Sequence, residues 1–189
     1  KKTMRHLIAF IVSLSMLTSV SPMWAGAEDA FSQWKTEDWQ KTTEGVIPVL
    51  KSIPGQSVNV LFLNGKAAGN KLRFDVRLDN VFGTVDGNIG AAYKMTDGSQ
   101  YFFEYNTVAD IIRIRRLGND GSDNHVFPAK AYHLDAGSYH TVELEFAQNH
   151  LLWQIDGETV AEVTETGSDP FENGTLYIQS YYTDITPRD

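Results

Sequence analysis

The chain has 189 residues, a net charge of −8 and no cysteine. The missing cysteines exclude disulfides, a thiolate metal site and a Cys nucleophile. The acidity opposes a phosphate backbone, and no Lys/Arg stripe interleaved with aromatics offsets it, so nucleic acid is not an expected partner.

Lys1, Lys2, Arg5 and His6 precede an apolar run, Leu7–Leu17, and a small-residue end, Ala25-Gly26-Ala27. That layout predicts a secretory signal peptide over 1–27. The run is shorter than the ~20 apolar residues a membrane span needs. Later segments are less apolar, so no membrane association is expected after cleavage, and the expected location is periplasmic or extracellular. Residues 28–189 are expected to form a single β-sandwich domain, large enough to bury roughly 70% of its unfolded surface without staples.

In the entry segment Phe31, Trp34 and Trp39 are apolar anchors. Gly45–Leu50 reads as a short strand, placed on an edge by Pro48, and a short helix over Ala30–Gln40 is the alternative. Asn64-Gly65, Asp86-Gly87, Asp97-Gly98, Asp120-Gly121, Asp156-Gly157 and Asn173-Gly174 then mark turns. Between them the expected strands are Ser57–Leu63, Lys71–Leu78, Ile89–Met95, Gln100–Tyr105, Asp110–Arg116, Thr141–Phe146, Leu151–Ile155, Glu158–Thr164 and Thr175–Ser180. Leu72, Phe74, Val76 and Leu78 alternate with Arg73, Asp75 and Arg77, the period of a strand with one wet face. No long stretch has helical periodicity. The pattern predicts an all-β fold, an antiparallel sandwich or barrel.

Tyr139-His140-Thr141-Val142-Glu143-Leu144-Glu145, followed by Leu152-Trp153-Gln154-Ile155-Asp156-Gly157-Glu158, resembles the concanavalin A-like lectin/glucanase superfamily. Laminin G-like domains and laminarinase-like glucanases share this strand, turn, strand and Asp-Gly arrangement. The likeness extends to Ala92-Tyr93-Lys94, Asp97-Gly98, Tyr101-Phe102-Phe103 and Gly174–Ser180, and the layout is also similar to 3-keto-disaccharide hydrolase-type domains. The resemblance implies a jelly-roll sandwich. It also implies a closing strand after the segment matching Tyr181–Ile185, which is either missing from this chain or supplied by other residues.

Function is less legible, because this scaffold hosts lectins, enzymes and adhesive modules alike. Glu143 and Glu145 share a strand face roughly 7 Å apart, superficially suited to glycoside hydrolysis, but they read more simply as a wet face. No nucleophile elbow or paired-His zinc motif occurs, so no catalytic residue is assigned. Calcium is raised by Asn119–Asn124 and by Asp79-Asn80 with Asp86 and Asn88. Plain hairpin loops have the same composition. The scattered His125, His133, His140 and His150 leave open a His/carboxylate metal centre assembled from distant strands.

Sugar recognition needs aromatic faces and fixed polar groups. Tyr93, Tyr101, Phe103, Tyr105, Tyr177, Tyr181 and Tyr182 are available, most of them expected in the core. Glu104, Arg113, Arg115, Gln154, Gln179, Tyr181 and Asp184 form the expected ligand-binding group on the concave sheet. The leading expectation is a non-catalytic carbohydrate- or glycan-binding module. A sugar hydrolase or lyase of the 3-keto-disaccharide hydrolase type is second, and an adhesive module with a protein partner third.

Overall fold

A computed structural model describes residues 34–37, 39–45, 47–63, 71–147, 149–164 and 171–188. The expected signal peptide, Phe31 and the Asn64-Gly65 turn lie outside the described residues. Fourteen strands are described: β1 Trp34–Lys35, β2 Gln40–Glu44, β3 Ile47–Lys51, β4 Val58–Leu63, β5 Lys71–Val81, β6 Asn88–Lys94 and β7 Gln100–Asn106, then β8 Ile111–Leu117, β9 Asp123–Ala131, β10 Tyr139–Ala147, β11 His150–Ile155, β12 Glu158–Val163, β13 Thr175–Tyr181 and β14 Thr183–Arg188.

They form a seven-stranded sheet, β1-β4-β13-β6-β7-β8-β9, a five-stranded sheet, β12-β11-β10-β5-β14, and the hairpin β2-β3. Every pairing is antiparallel. This is the two-sheet antiparallel sandwich expected from the alternation, with the jelly-roll layout that the resemblance implies.

Side-chain period fixes what meets what. On β5 Leu72, Phe74, Val76 and Leu78 are buried, and the register sets Phe74 opposite Val142 and Leu72 opposite Leu144. From the other sheet Tyr93, Phe103, Ile114 and Ile178 face them in one core. Phe146 is the aromatic centre, with ring centroids 5.4 Å from Tyr93 and 5.1 Å from Phe103. The β11–β12 hairpin closes on Asp156 (φ 53°) and Gly157 (φ 82°). Two consecutive positive φ values match the twist of the flanking strands, which is why an Asp-Gly pair stands there.

Three expectations are corrected. The described part of the entry segment, Trp34 to Gln40, holds β1 and the start of β2 rather than a helix. β9 went unforeseen, because Pro128 and the run Asp123-Asn124 hide its period. The segment Tyr181–Ile185 is itself the start of a strand: β14 begins within it, follows β13 at once and pairs with β5.

The β2–β3 hairpin is fastened to that last strand. Ser52 N–H donates to Ile185 C=O at 2.9 Å, and Ile185 N–H donates to Ser52 Oγ at 2.8 Å. Arg77 on β5 donates to Glu44 of β2 at 3.0 Å and to Thr186 of β14 at 3.3 Å, and stacks over Tyr139. Bonds from Tyr139 and Arg77 hold the Glu44 carboxyl below its ordinary range.

Candidate functional site

The outer face of the seven-stranded sheet is assembled by register. One row across the strands reads Val60, Gln179, Gly90, Glu104, Arg113. The next reads Phe62, Tyr177, Ala92, Phe102, Arg115 and His125. A third carries Val58, Tyr181, Asn88, Asn106 and Ile111. Apolar side chains thus gather on β4 and β13, charged ones on β7 to β9, with the small residues Gly90 and Ala92 between them. Three strand spacings separate β13 from β8, about 14 Å.

The charged part is a continuous ladder. Glu104 is 0% exposed although it points outward. Arg113 donates to it through Nε at 3.0 Å and Nη2 at 2.6 Å, and Arg115 through Nη1 at 3.1 Å. Arg115 turns its remaining nitrogens to Asp123, Nε at 3.1 Å and Nη2 at 2.5 Å. A buried carboxylate persists only when paired and hydrogen-bonded, and the two arginines meet that demand while covering it. The bonds from Arg115 hold the Asp123 carboxyl below its ordinary range. The bonds to Asp123, then those to Glu104, raise the Arg115 guanidinium against the opposing effect of burial.

The apolar part is open to water at its β4 margin. On β4 Leu61 enters the core beside the buried Asn59, while Val58 and Phe62 stand 41% and 39% exposed on the outside. Phe62 lies 5.5 Å from the Tyr177 ring, and Tyr177 packs with Ala92, Phe102 and Val60 in a cluster separate from the core. Burial pushes the Tyr177 phenol up to about 12, against a bond to Gln100 at 2.8 Å. Gly90 is required here, since a Cβ would stand 2.3 Å from the Phe103 carbonyl oxygen and 2.9 Å from the Phe102 ring.

Of the seven residues expected to bind ligand, the fold brings Glu104, Arg113, Arg115, Gln179 and Tyr181 together on this face. Gln154 lies on β11 of the other sheet and donates to Thr159 at 3.4 Å, in a pocket of about 370 Å³ shared with Lys71, Arg73, Glu143 and Glu145. Asp184 is buried on β14, accepting from Gly55 N–H at 3.0 Å and Asn80 at 3.4 Å. Phe62 and Asp123 complete the face without having been singled out, together with Tyr177, which is named among the available aromatics but left out of the expected ligand-binding group. The period of β13 set Tyr177 in phase with Gln179 and could have revealed it.

Other candidates resolve into local bonds. Glu143 and Glu145 pair with Arg73 at 2.9 Å and Lys71 at 3.2 Å. His140, His133 and His150 each meet a different carboxylate, Asp156, Asp110 and Glu162. Asp79 and Asn80 belong to β5, not to a loop, and Asp79 accepts from Arg77 and Thr186. Asp120 accepts the Ser122 N–H, while Asp123 and Asn124 begin β9. Among the described residues no three His, Asp or Glu side chains group as metal ligands.

No protein-family model matches the chain, and no curated protein matches it in sequence. Solved structures do match in fold. The carbohydrate binding module CBM66 from Bacillus subtilis is similar over 83% of this chain and 92% of its own, with a TM-score of 0.60 and 9% identity. A prokaryotic β-1,3-1,4-glucanase (lichenase) derived from a mouse hindgut metagenome is similar over 87% and 94%, with a TM-score of 0.58 and 13% identity. The Caenorhabditis elegans galectin LEC-6 is similar over 72% and 94%, with a TM-score of 0.51 and 11% identity. The fold is therefore the concanavalin A-like jelly roll that the sequence resembles.

Proposed function

We propose that the protein is an exported carbohydrate-binding module that holds a glycan, without turnover, on the outer face of the seven-stranded sheet. The observation that carries this reading is the exposed apolar pair Val58 and Phe62, backed by the buried Tyr177 ring, on the same sheet face as the fixed guanidinium ladder. A pyranose has an apolar face and a hydroxyl rim, and such a surface offers both a ring to stack on and donors that do not move. Structural neighbours that include a carbohydrate-binding module and a galectin support the same direction, and the leader-like residues 1–27 support export.

The enzymes among those neighbours favour a second reading, a glycoside hydrolase. That chemistry needs two carboxyl groups flanking the bond, one of them able to hold a proton at working pH. On this face Glu104 has both oxygens engaged by arginine and Asp123 is held ionised by Arg115, which weighs against it.

A glycan array followed by thermal-shift titration with the hits tests the proposal. Binding without release of new reducing ends is the expected result, and Phe62→Ala lowers affinity about tenfold while moving stability by under about 1 kcal/mol. Release of reducing ends from a bound glycan would overturn the non-catalytic reading, and no response to any glycan would overturn the proposal as a whole.

A further inference from the structure

The two arginines of the ladder are not equivalent. Arg115 spends Nε and Nη2 on Asp123 and Nη1 on Glu104, so all three of its nitrogens are engaged. Arg113 spends Nε and Nη2 on Glu104, and among the described residues its Nη1 makes no hydrogen bond. Both side chains are 23% exposed. The ladder therefore presents one unspent guanidinium nitrogen, held in place by a carboxylate that solvent does not reach.

Its charge is also balanced. Glu104 and Asp123 carry two negative charges, Arg113 and Arg115 two positive ones, and the four are linked by contacts of 2.5 to 3.1 Å. An anionic ligand arriving here meets guanidinium groups that carboxylates have already neutralised, so it would lose its hydration for little net attraction. A hydroxyl needs only a donor, and Arg113 Nη1 is one. Lys35 and Lys94 also lie on this face, beside Phe62 and Thr175, but both are exposed, where salt screens them. The protein as a whole carries −8. The strip next to the ladder is apolar, as the C–H face of an uncharged sugar requires.

We infer, on the footing of the carbohydrate-binding reading above, that this face selects uncharged glycans and that Arg113, rather than Arg115, supplies the guanidinium that contacts them. Glu104 is then a positioning residue for Arg113, and Asp123 the counter-charge that keeps Arg115 turned away from the ligand.

The test is affinity electrophoresis of the full chain through gels carrying a soluble neutral β-glucan, a neutral mannan, polygalacturonate or dextran sulfate. The expected result is retention by a neutral polymer, changing less than about threefold between about 20 and about 500 mM NaCl. Arg113→Lys keeps the charge paired with Glu104 but loses the free Nη1, and should weaken retention about tenfold at a temperature where its melting curve shows it folded. Arg73→Lys, on the opposite sheet, controls for loss of a surface guanidinium and should leave retention unchanged. Retention by polygalacturonate or dextran sulfate alone, falling steeply with salt, overturns the inference of charge selection while leaving carbohydrate binding in place. Undiminished retention in Arg113→Lys overturns the role given to Arg113. Retention by none of the four polymers overturns the carbohydrate-binding reading on which the inference rests.

Discussion

Replacing Glu104 by Gln separates a structural carboxylate from a catalytic one. The substitution keeps volume and removes the charge. It weakens three charge-assisted bonds, at 2.6, 3.0 and 3.1 Å, each worth about 1.5–3 kcal/mol. The sum overstates the loss. Arg113 and Arg115 are partly exposed and can rehydrate, Arg115 keeps Asp123, and the amide carbonyl still accepts. A net cost of about 3 kcal/mol follows, the low end for breaking a buried ion pair. For a domain of this size that lowers the melting temperature by about 6–12 °C. Circular dichroism melts of the wild type and Glu104→Gln measure it, and a double-mutant cycle with Arg113→Gln should return a coupling of about 1–3 kcal/mol. A loss below about 1 kcal/mol would refute the burial argument. Unchanged stability with abolished glycan turnover would make Glu104 a catalytic group instead.

Gly90→Ala should cost about 1–3 kcal/mol, because the new methyl meets a backbone oxygen that cannot swing aside, and chemical denaturation reads it directly. Phe146→Ala, at the fully buried aromatic centre, should cost about 3–5 kcal/mol in the same assay. Stability should also fall in alkali. Burial raises the Tyr177 phenol to about 12 in the folded chain, above the ordinary value of about 10. Its contribution is therefore complete below pH about 10 and is lost as pH rises toward about 12. Tyr177→Phe should flatten part of that decline in melts run from pH 8 to pH 11, expected as a shift of about 1–2 °C, and an unaltered slope would count against the burial of the phenol.

The fold was legible wherever one face of a strand is wet. β5 and β10 announce themselves because Leu72, Phe74, Val142 and Leu144 alternate with charge, and pairing merely brings those faces together. β9 and β14 were not, since each contains a proline and neither repeats a period long enough to read. The candidate face was half legible. The period of β7 and β8 puts Glu104, Arg113 and Arg115 outward, but burial of Glu104 depends on arginines one strand away, a relation that no local pattern carries. β4 is hard to read for the opposite reason: its one polar side chain, Asn59, faces inward, while the apolar Val58 and Phe62 meet solvent. Gln154 was grouped with the others by phase alone, which cannot tell which sheet a strand will join, and Asp184 lay beyond the last expected strand.

The bonds between Ser52 and Ile185 and from Arg77 to Glu44 and Thr186 have a consequence for how the chain matures. The β2–β3 hairpin is synthesised well before its partners, with 133 positions between Ser52 and Ile185, and so large a sequence separation must be closed against chain entropy before those contacts repay it. Until β14 docks, β5 offers a bare edge to whatever strand arrives first. Strand β14 is thus a latch that ends the interval of greatest vulnerability to aggregation. Truncating the chain before Thr183 should yield a product that binds chaperones rather than a smaller folded protein.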